Sequence, residues 1–411
     1  MTSERRFIVV GAGLGGAGVA KALRDNDFDG LITVIGAEEH LPYERPPLSK
    51  EHLAGNKPFA EFTVAPDAWY RDHRVELLLG TEVRAIDPAA HTVTLPDDST
   101  LSYDKLALAT GSRPRSLDLP GADAPNVYTL RTIDDSDTLR ELFAGGTRRL
   151  AVIGAGWIGL EVAAAARAAG VAVTVVESAE QPLLGALGPE MGAVFAELHR
   201  AHDVDLRLNT GVAEITTAHA GAAHVATGLR LDDGTEIEAD AILVAVGARP
   251  EIALAEAAGL DTDTGVLVDE HLRTSDPDIV AVGDIAEQQH PVLGGRVRVE
   301  HWATALNQPA VAAATMLDRE ASYDRLPYFF TDQYDLGMEY TGHVPRGAAE
   351  RVVVRGDTAA MEFVAFWLDG ENRVLAGMNV NVWEVTDRIR ELVAGGEPVD
   401  PERLADTSRE L

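Results

Sequence analysis

The chain has 411 residues, 46% hydrophobic and 25% charged, a composition for a globular protein with a sizeable core and, at about 150 residues per domain, two to three domains. Asp and Glu outnumber Lys and Arg by 66 to 35; the resulting formal charge of -31 repels phosphate backbones and anionic lipid, so neither nucleic acid nor membrane is an expected partner. Cysteine is absent, which excludes disulfides, Cys-ligated zinc or iron–sulfur centres and all thiol redox chemistry.

The polar start, Met1–Arg6, leads into Phe7–Val10. No apolar region precedes it, and no run approaches the roughly 18 residues of a membrane span, so a soluble cytoplasmic protein is expected. Phe7–Val10 reads as a strand, Gly11–Gly16 as a glycine turn, Val19, Ala20 and Leu23 as one helix face, and Leu31–Ile35 as the next strand. The pattern recurs at Leu150–Ile153, Gly154–Gly159, an alanine-rich helix over Leu160–Ala169, and a strand at Val171–Val176. Leu106–Gly111, Ala241–Gly247 and Ile279–Gly283 read as buried strands ending in glycine. The first two run on to Arg113-Pro114 and Arg249-Pro250, where the chain is expected to cross between domains. From Ser322 aromatic residues concentrate and strand-like alternation returns. With a final helix over Trp383–Val393, this segment reads as a separate α+β domain.

Each glycine turn carries dinucleotide chemistry. In Gly11-x-Gly13-x-x-Gly16 the first glycine allows the tight turn, the second lets a pyrophosphate reach the backbone, and the third lets helix pack on sheet. Glu38 ends the next strand roughly 20 residues on, where a carboxylate accepts from ribose hydroxyls. Gly154-x-Gly156-x-x-Gly159 with Glu177 repeats the pattern. Glu177 would repel a 2′-phosphate, and no Arg or Lys lies between it and Gly192, so NADH is favoured over NADPH. Leu14, Ile158 and Gly247 join the glycines as cofactor-contact candidates. The alternative for each motif is a glycine turn that merely permits packing. Two dinucleotide sites without a thiol call for a relay, and FAD fits because it takes two electrons and releases them singly.

Pro42-Tyr43-Glu44-Arg45-Pro46-Pro47-Leu48-Ser49-Lys50, Trp157–Glu161, Val282-Gly283-Asp284, Val299–Trp302 and Pro327–Tyr334 together resemble the FAD-dependent NAD(P)H:ferredoxin and rubredoxin reductases, the putidaredoxin-reductase-like family that serves cytochrome P450 and ring-dioxygenase systems. The resemblance spans essentially the whole chain. It implies a glutathione-reductase-type α/β fold with two Rossmann-like domains, for FAD and NAD, and a C-terminal α+β interface domain. The expected segments are 1–113 and 241–321 for FAD, 114–240 for NAD and 322–411 for the interface domain. It further implies that Lys50 sits beside the flavin and pairs with Glu161, that Asp284 accepts from a ribitol hydroxyl, and that Trp302 opens a helix (about Ala303–Leu317) facing the flavin. Arg131 and Val83 match positions that contact FAD. On the residues alone, Lys50 could be a solvated loop lysine, Glu161 a helix first-turn acid and Trp302 a core aromatic.

The implied function is an NADH:ferredoxin oxidoreductase delivering electrons to a [2Fe–2S] ferredoxin, as a monomer or weak homodimer. The same fold also admits a rubredoxin, quinone or monodehydroascorbate acceptor, or a redox-sensing flavoprotein resembling apoptosis-inducing factor. Two departures stand out: arginines that the family often carries near Gln181 and Gly185 are missing, and Phe330 replaces a frequent Trp. Ferredoxins are usually acidic, so Arg296 and Arg298 are expected to form a basic docking rim. His199 and His202, together with a loop pair His219 and His224, read as solvated histidines. Asp97-Asp98, Asp134-Asp135 and Asp232-Asp233 read as turn or loop acids.

Overall fold

The computed structural model describes residues 5–220 and 223–411. Its first sheet is five-stranded and wholly parallel, in the order Ile279–Ala281, Lys105–Leu108, Arg6–Val10, Leu31–Ile35, Val75–Leu78. A parallel sheet covered on both faces requires strands that are apolar throughout, and Phe7, Ile8 and Val9 are each fully buried. The chain leaves Arg6–Val10 toward one edge and returns on the other side at Lys105–Leu108, which opens a crevice at the carboxyl ends of these two strands. The helix Leu14–Asp25 packs on Trp302–Met316. A Cβ at Gly18 would stand 2.8 Å from the Pro309 ring, so only glycine permits that approach.

The second sheet repeats the plan in the order Asp205–Arg207, Ala172–Val176, Arg149–Ile153, Ala241–Val244, Val127–Tyr128. Ala241–Val244 therefore belongs here, and the return expected at residue 241 falls one strand too early. The actual crossings are Ser112–Pro114 and Ala248–Pro250, which pair antiparallel with each other. The third sheet is antiparallel, in the order Tyr328–Gln333, Leu336–Gly342, Val374–Val380, Glu362–Leu368, Arg351–Asp357.

The C-terminal segment has a core of its own around Val364, Phe366 and Ile389, and a second one that it shares with the other two units. Leu336, Met338 and Trp367 join Tyr43 and Leu48 from the first unit and Leu160 and Phe195 from the second in one buried cluster. The buried Trp367 indole donates to the Leu187 carbonyl at 3.1 Å. This shared core locks the three parts around the crevice.

Several local expectations need correction. The second glycine-motif helix starts at Trp157, three residues earlier than read, with Gly156 as its N-cap. The helix expected over Trp383–Val393 is Thr386–Gly395, with a short one, Pro401–Ala405, after it; Trp383 lies ahead of both, its ring packed over Gly337. Asp134 and Asp135 lie in the first turn of helix Ile133–Ala144, where Asp135 completes a capping box with Thr132. His219 and His224 face each other across the hairpin strands Val212–Ala220 and Ala223–Leu231 rather than lying in a loop. Among the described residues no helix is long and apolar enough to cross a membrane.

Candidate active site

The crevice of the first sheet is a cavity of about 1110 Å³, at or above the upper end of ordinary ligand pockets. Its lining includes Gly11, Gly13, Leu14, Glu38, Lys50, Val83, Arg131, Asp284 and Trp302, together with Ile158 and Glu161 from the second unit. Gly16 lies beneath it in the helix. Gly154, Gly156, Gly159, Glu177 and Gly247 are not part of this cavity wall; they cluster at the carboxyl ends of the second sheet. The cavity thus brings one glycine motif together with the exposed edge of the other.

The helix N-termini suit an anion. Neither Gly13 nor Gly156 caps its helix with a side chain, so the first-turn N–H groups stay free for a ligand. Gly11 has a φ of +114°, and a Cβ there would stand 2.1 Å from the Ala109 carbonyl oxygen. At Gly13 the backbone is ordinary and a Cβ would meet no atom within 4 Å. Gly13 therefore presents bare backbone to open space, the cradle a pyrophosphate needs. Two buried lining atoms, Arg131 Nε and His301 Nδ1, find no hydrogen-bond partner among the described residues. Burial pushes the His301 imidazole down to about 4, so it is neutral at pH 7. A cavity of this size with a glycine cradle and an unspent guanidinium N–H fits FAD.

Lys50 and Glu161 form the centre of the site. Lys50 Nζ lies 2.8 Å from Glu161 Oε2, with the two side chains 8% and 4% exposed. Lys50 is thus no solvated loop lysine, and Glu161 lies beyond the first turn of a helix that starts at Trp157. Ser49 Oγ donates to Glu161 Oε2 at 2.5 Å and Thr331 Oγ1 to Oε1 at 2.6 Å. The ammonium also lies 5.5 Å from the Phe330 ring centroid. Asp284 Oδ2 accepts from Arg131 Nη2 at 2.8 Å. Trp302 opens its helix, donates from Nε1 to Glu44 at 2.9 Å and meets Phe330 edge to face.

Both strand-end acids are held in place. Glu38 accepts from Tyr43 OH at 2.5 Å and Arg45 Nη2 at 2.7 Å. Burial pushes the Tyr43 hydroxyl up, so it remains a proton donor. Glu177 accepts from the Ala155 and Ala179 backbones at 2.8 and 2.9 Å. Each carboxylate retains lone pairs for a hydroxyl.

Arg298 is not a free docking cation. It is 19% exposed, pairs with Glu300 at 2.6 Å and donates to the Asp284 carbonyl at 3.1 Å, so it braces the cavity wall. Arg296 is exposed, with one guanidinium nitrogen on the Glu287 carbonyl. His199 is not solvated either. It is fully buried, and burial pushes its imidazole down to about 4. Sequence reasoning assigned no role to Ser49, Thr331, Tyr43, Arg45, Glu44 or His301. Their only signal was adjacency to Lys50, Phe330, Glu38 and Trp302 inside the same segments.

Residues 5–308 match the family described as pyridine nucleotide-disulphide oxidoreductase, and 328–411 match the reductase C-terminal family. The ferredoxin–NAD(+) reductase component of the anthranilate 1,2-dioxygenase system of Burkholderia cepacia is 42% identical over 97% of both chains. Rhodocoxin reductase of Rhodococcus erythropolis is 39% identical over 98% of this chain and 93% of its own. The chain belongs to the pyridine nucleotide-disulphide oxidoreductases, in their FAD-dependent, putidaredoxin-reductase-like branch. The fold of this reductase superimposes on the covalent putidaredoxin reductase–putidaredoxin complex with a TM-score of 0.93, at 35% identity over 99% of this chain and 97% of that one. FAD and NAD(H) are the cofactors of the family. Lacking cysteine, this reductase cannot carry out the thiol chemistry for which the family is named.

Proposed function

We propose that this reductase takes electrons from NADH through FAD to a small [2Fe–2S] ferredoxin that serves an oxygenase. The observation that carries the reading is the buried Lys50–Glu161 pair, which joins the first nucleotide unit to the helix of the second inside one cavity. When bound, FAD accepts a hydride from NADH and releases its electrons one at a time. The chain's own residues bind and orient. Free N–H groups at the Leu14 helix receive the pyrophosphate, while Glu38 and Asp284 accept hydroxyls. Val83 and Arg131 line the cofactor wall, and Trp302 presents its helix N-terminus. Lys50 supplies positive charge where negative charge develops, and Glu161 aims it. Trp157, Phe329 and Phe330 exclude water. Gly154, Gly156, Ile158, Gly159, Glu177 and Gly247 are read as the NADH contacts.

The FAD part comprises residues up to 113 and from about 248 to 321, the NAD part lies between, and 322–411 complete the site. Lack of cysteine and dependence on NADH support a cytoplasmic location. A monomer or weak homodimer is proposed.

The test is NADH-driven reduction of cytochrome c by the yellow protein, with and without a [2Fe–2S] ferredoxin. Ferredoxin is expected to raise the rate at least about ten-fold; rapid reduction of the flavin without ferredoxin dependence would move the reading to a small-molecule acceptor. Glu177 is expected to make kcat/KM for NADH exceed that for NADPH by roughly a hundred-fold, through repulsion of the 2′-phosphate. Glu177→Gln should narrow that ratio, and a variant with the parental ratio would remove Glu177 from the specificity argument.

A further inference from the structure

Behind the Lys50–Glu161 pair a line of hydrogen bonds leaves the cavity. It runs between the strand Tyr328–Gln333 and the helix Leu184–Ala201. Glu161 accepts from Thr331 Oγ1; Gln333 Nε2 lies 3.2 Å from the same Thr331 oxygen. Gln333 Oε1 lies 2.8 Å from His199 Nε2, and His199 Nδ1 lies 3.3 Å from Tyr334 OH. Thr331, Gln333 and His199 are essentially inaccessible to water.

Donor accounting gives this line a direction. A threonine hydroxyl has one proton, and it reaches Glu161 only if Gln333 offers Thr331 its NH₂ rather than its carbonyl. Gln333 does so only while its carbonyl is engaged on the other side, which requires a proton on His199 Nε2. The neutral imidazole then accepts at Nδ1, where Tyr334 donates. Every donor therefore points toward Glu161, and one arrangement satisfies all the groups. The surroundings make that direction matter. Asp332 lies between Thr331 and Gln333 in sequence, and its carboxyl is raised by burial and by the charges of Glu51 and Glu161, against Lys50. On the far side, the groups facing His199 are the His202 ring, stacked on Tyr334 at 3.6 Å, and the Tyr334 hydroxyl itself, with Arg167 acting on that tyrosine. Burying an imidazole and an amide in an apolar core is costly unless they are paired, and neither touches the cavity.

We propose that His199 is a positioning residue for Glu161: it fixes the Gln333 amide, commits the Thr331 proton to Glu161, and so holds Lys50 in place. The inference rests on the reading that Lys50 and Glu161 serve flavin reduction. Two measurements on the FAD-loaded protein test it. In ¹⁵N-histidine spectra at neutral pH, His199 is expected as the Nε2–H tautomer; the Nδ1–H tautomer would overturn the proposal. In stopped-flow experiments at saturating NADH, His199→Phe and Gln333→Met are each expected to slow flavin bleaching roughly five-fold, with the Kd for NADH unchanged. The double variant should be no slower than either single one. His199→Gln, which keeps a donor toward Gln333, should recover to within about two-fold of the parent. Gln333→Met reads the same link should His199→Phe not fold. Parental rates in the variants, or a His199→Gln as slow as His199→Phe, would overturn the inference alone. A parent protein that NADH does not bleach would overturn the underlying reading as well.

Discussion

Lys50→Met is expected to slow NADH-driven flavin bleaching by about a hundred-fold or more while FAD stays bound, because a single preorganised charge at a reacting centre carries effects of that order. FAD should be retained because the glycine cradle, Glu38 and Asp284 lie elsewhere in the cavity wall. Stability should fall too. Removing one partner of a buried ion pair costs about 3–5 kcal/mol, and Glu161 is 4% exposed. Ser49 and Thr331 still donate to Glu161, which sets the loss near the lower bound. The double variant Lys50→Met/Glu161→Gln separates the two effects. It removes the stranded charge, so its melting temperature should return most of the way, while flavin bleaching stays slow. A double variant that recovered both would make Lys50 a purely structural residue. A single variant bleaching within three-fold of the parent would end its electrostatic role altogether.

The parts of this site legible in the sequence are those whose causes are local. Gly11 and Gly154 have φ values of +114° and +103°, a left-handed backbone that the strand-to-helix turn of each motif itself demands and that favours glycine. Strand, turn and helix periodicity therefore reveals them. The Lys50–Glu161 pair was accessible only through family resemblance, since nothing in the spacing of residues 50 and 161 joins them. The donors around the pair are legible only as neighbours of Lys50 and Phe330, with nothing to join them to Glu161. Ser49 and Thr331 lie 112 and 170 residues from Glu161 in sequence, and His199 lies 134 from Gln333. The expected solvation of His199 fails for the same reason: on its helix it looks like a polar-face residue, and the strand that buries it comes much later. Trp383 and the helix Thr386–Gly395 show a smaller version. The ring packs on Gly337, a tertiary contact that overrides the helical pattern.

The glycines also allow cofactor loss to be separated from misfolding. Gly13→Ala is expected to give a folded but colourless protein. Its φ of −84° suits any residue and a Cβ there meets no described atom within 4 Å, so only the pyrophosphate is in the way. Gly16→Ala places a Cβ 1.8 Å from the Gly11 carbonyl oxygen, so helix and turn must separate, and this variant should fail to fold or lose several kcal/mol. Gly156 corresponds to Gly13 in the second unit: its φ is −80° and the nearest atom to a Cβ is 4.0 Å away. Gly156→Ala should therefore remain yellow, melt with the parent, and bind NADH at least roughly a hundred-fold more weakly, because the displaced phosphate loses its charge-assisted contacts to backbone N–H groups. Thermal melts, FAD absorbance and NADH titration of the three variants read these outcomes separately. Parental FAD content in Gly13→Ala would place the pyrophosphate away from the first glycine turn. Parental NADH affinity in Gly156→Ala would do the same for the second, and with it the assignment of one nucleotide to each sheet would fail.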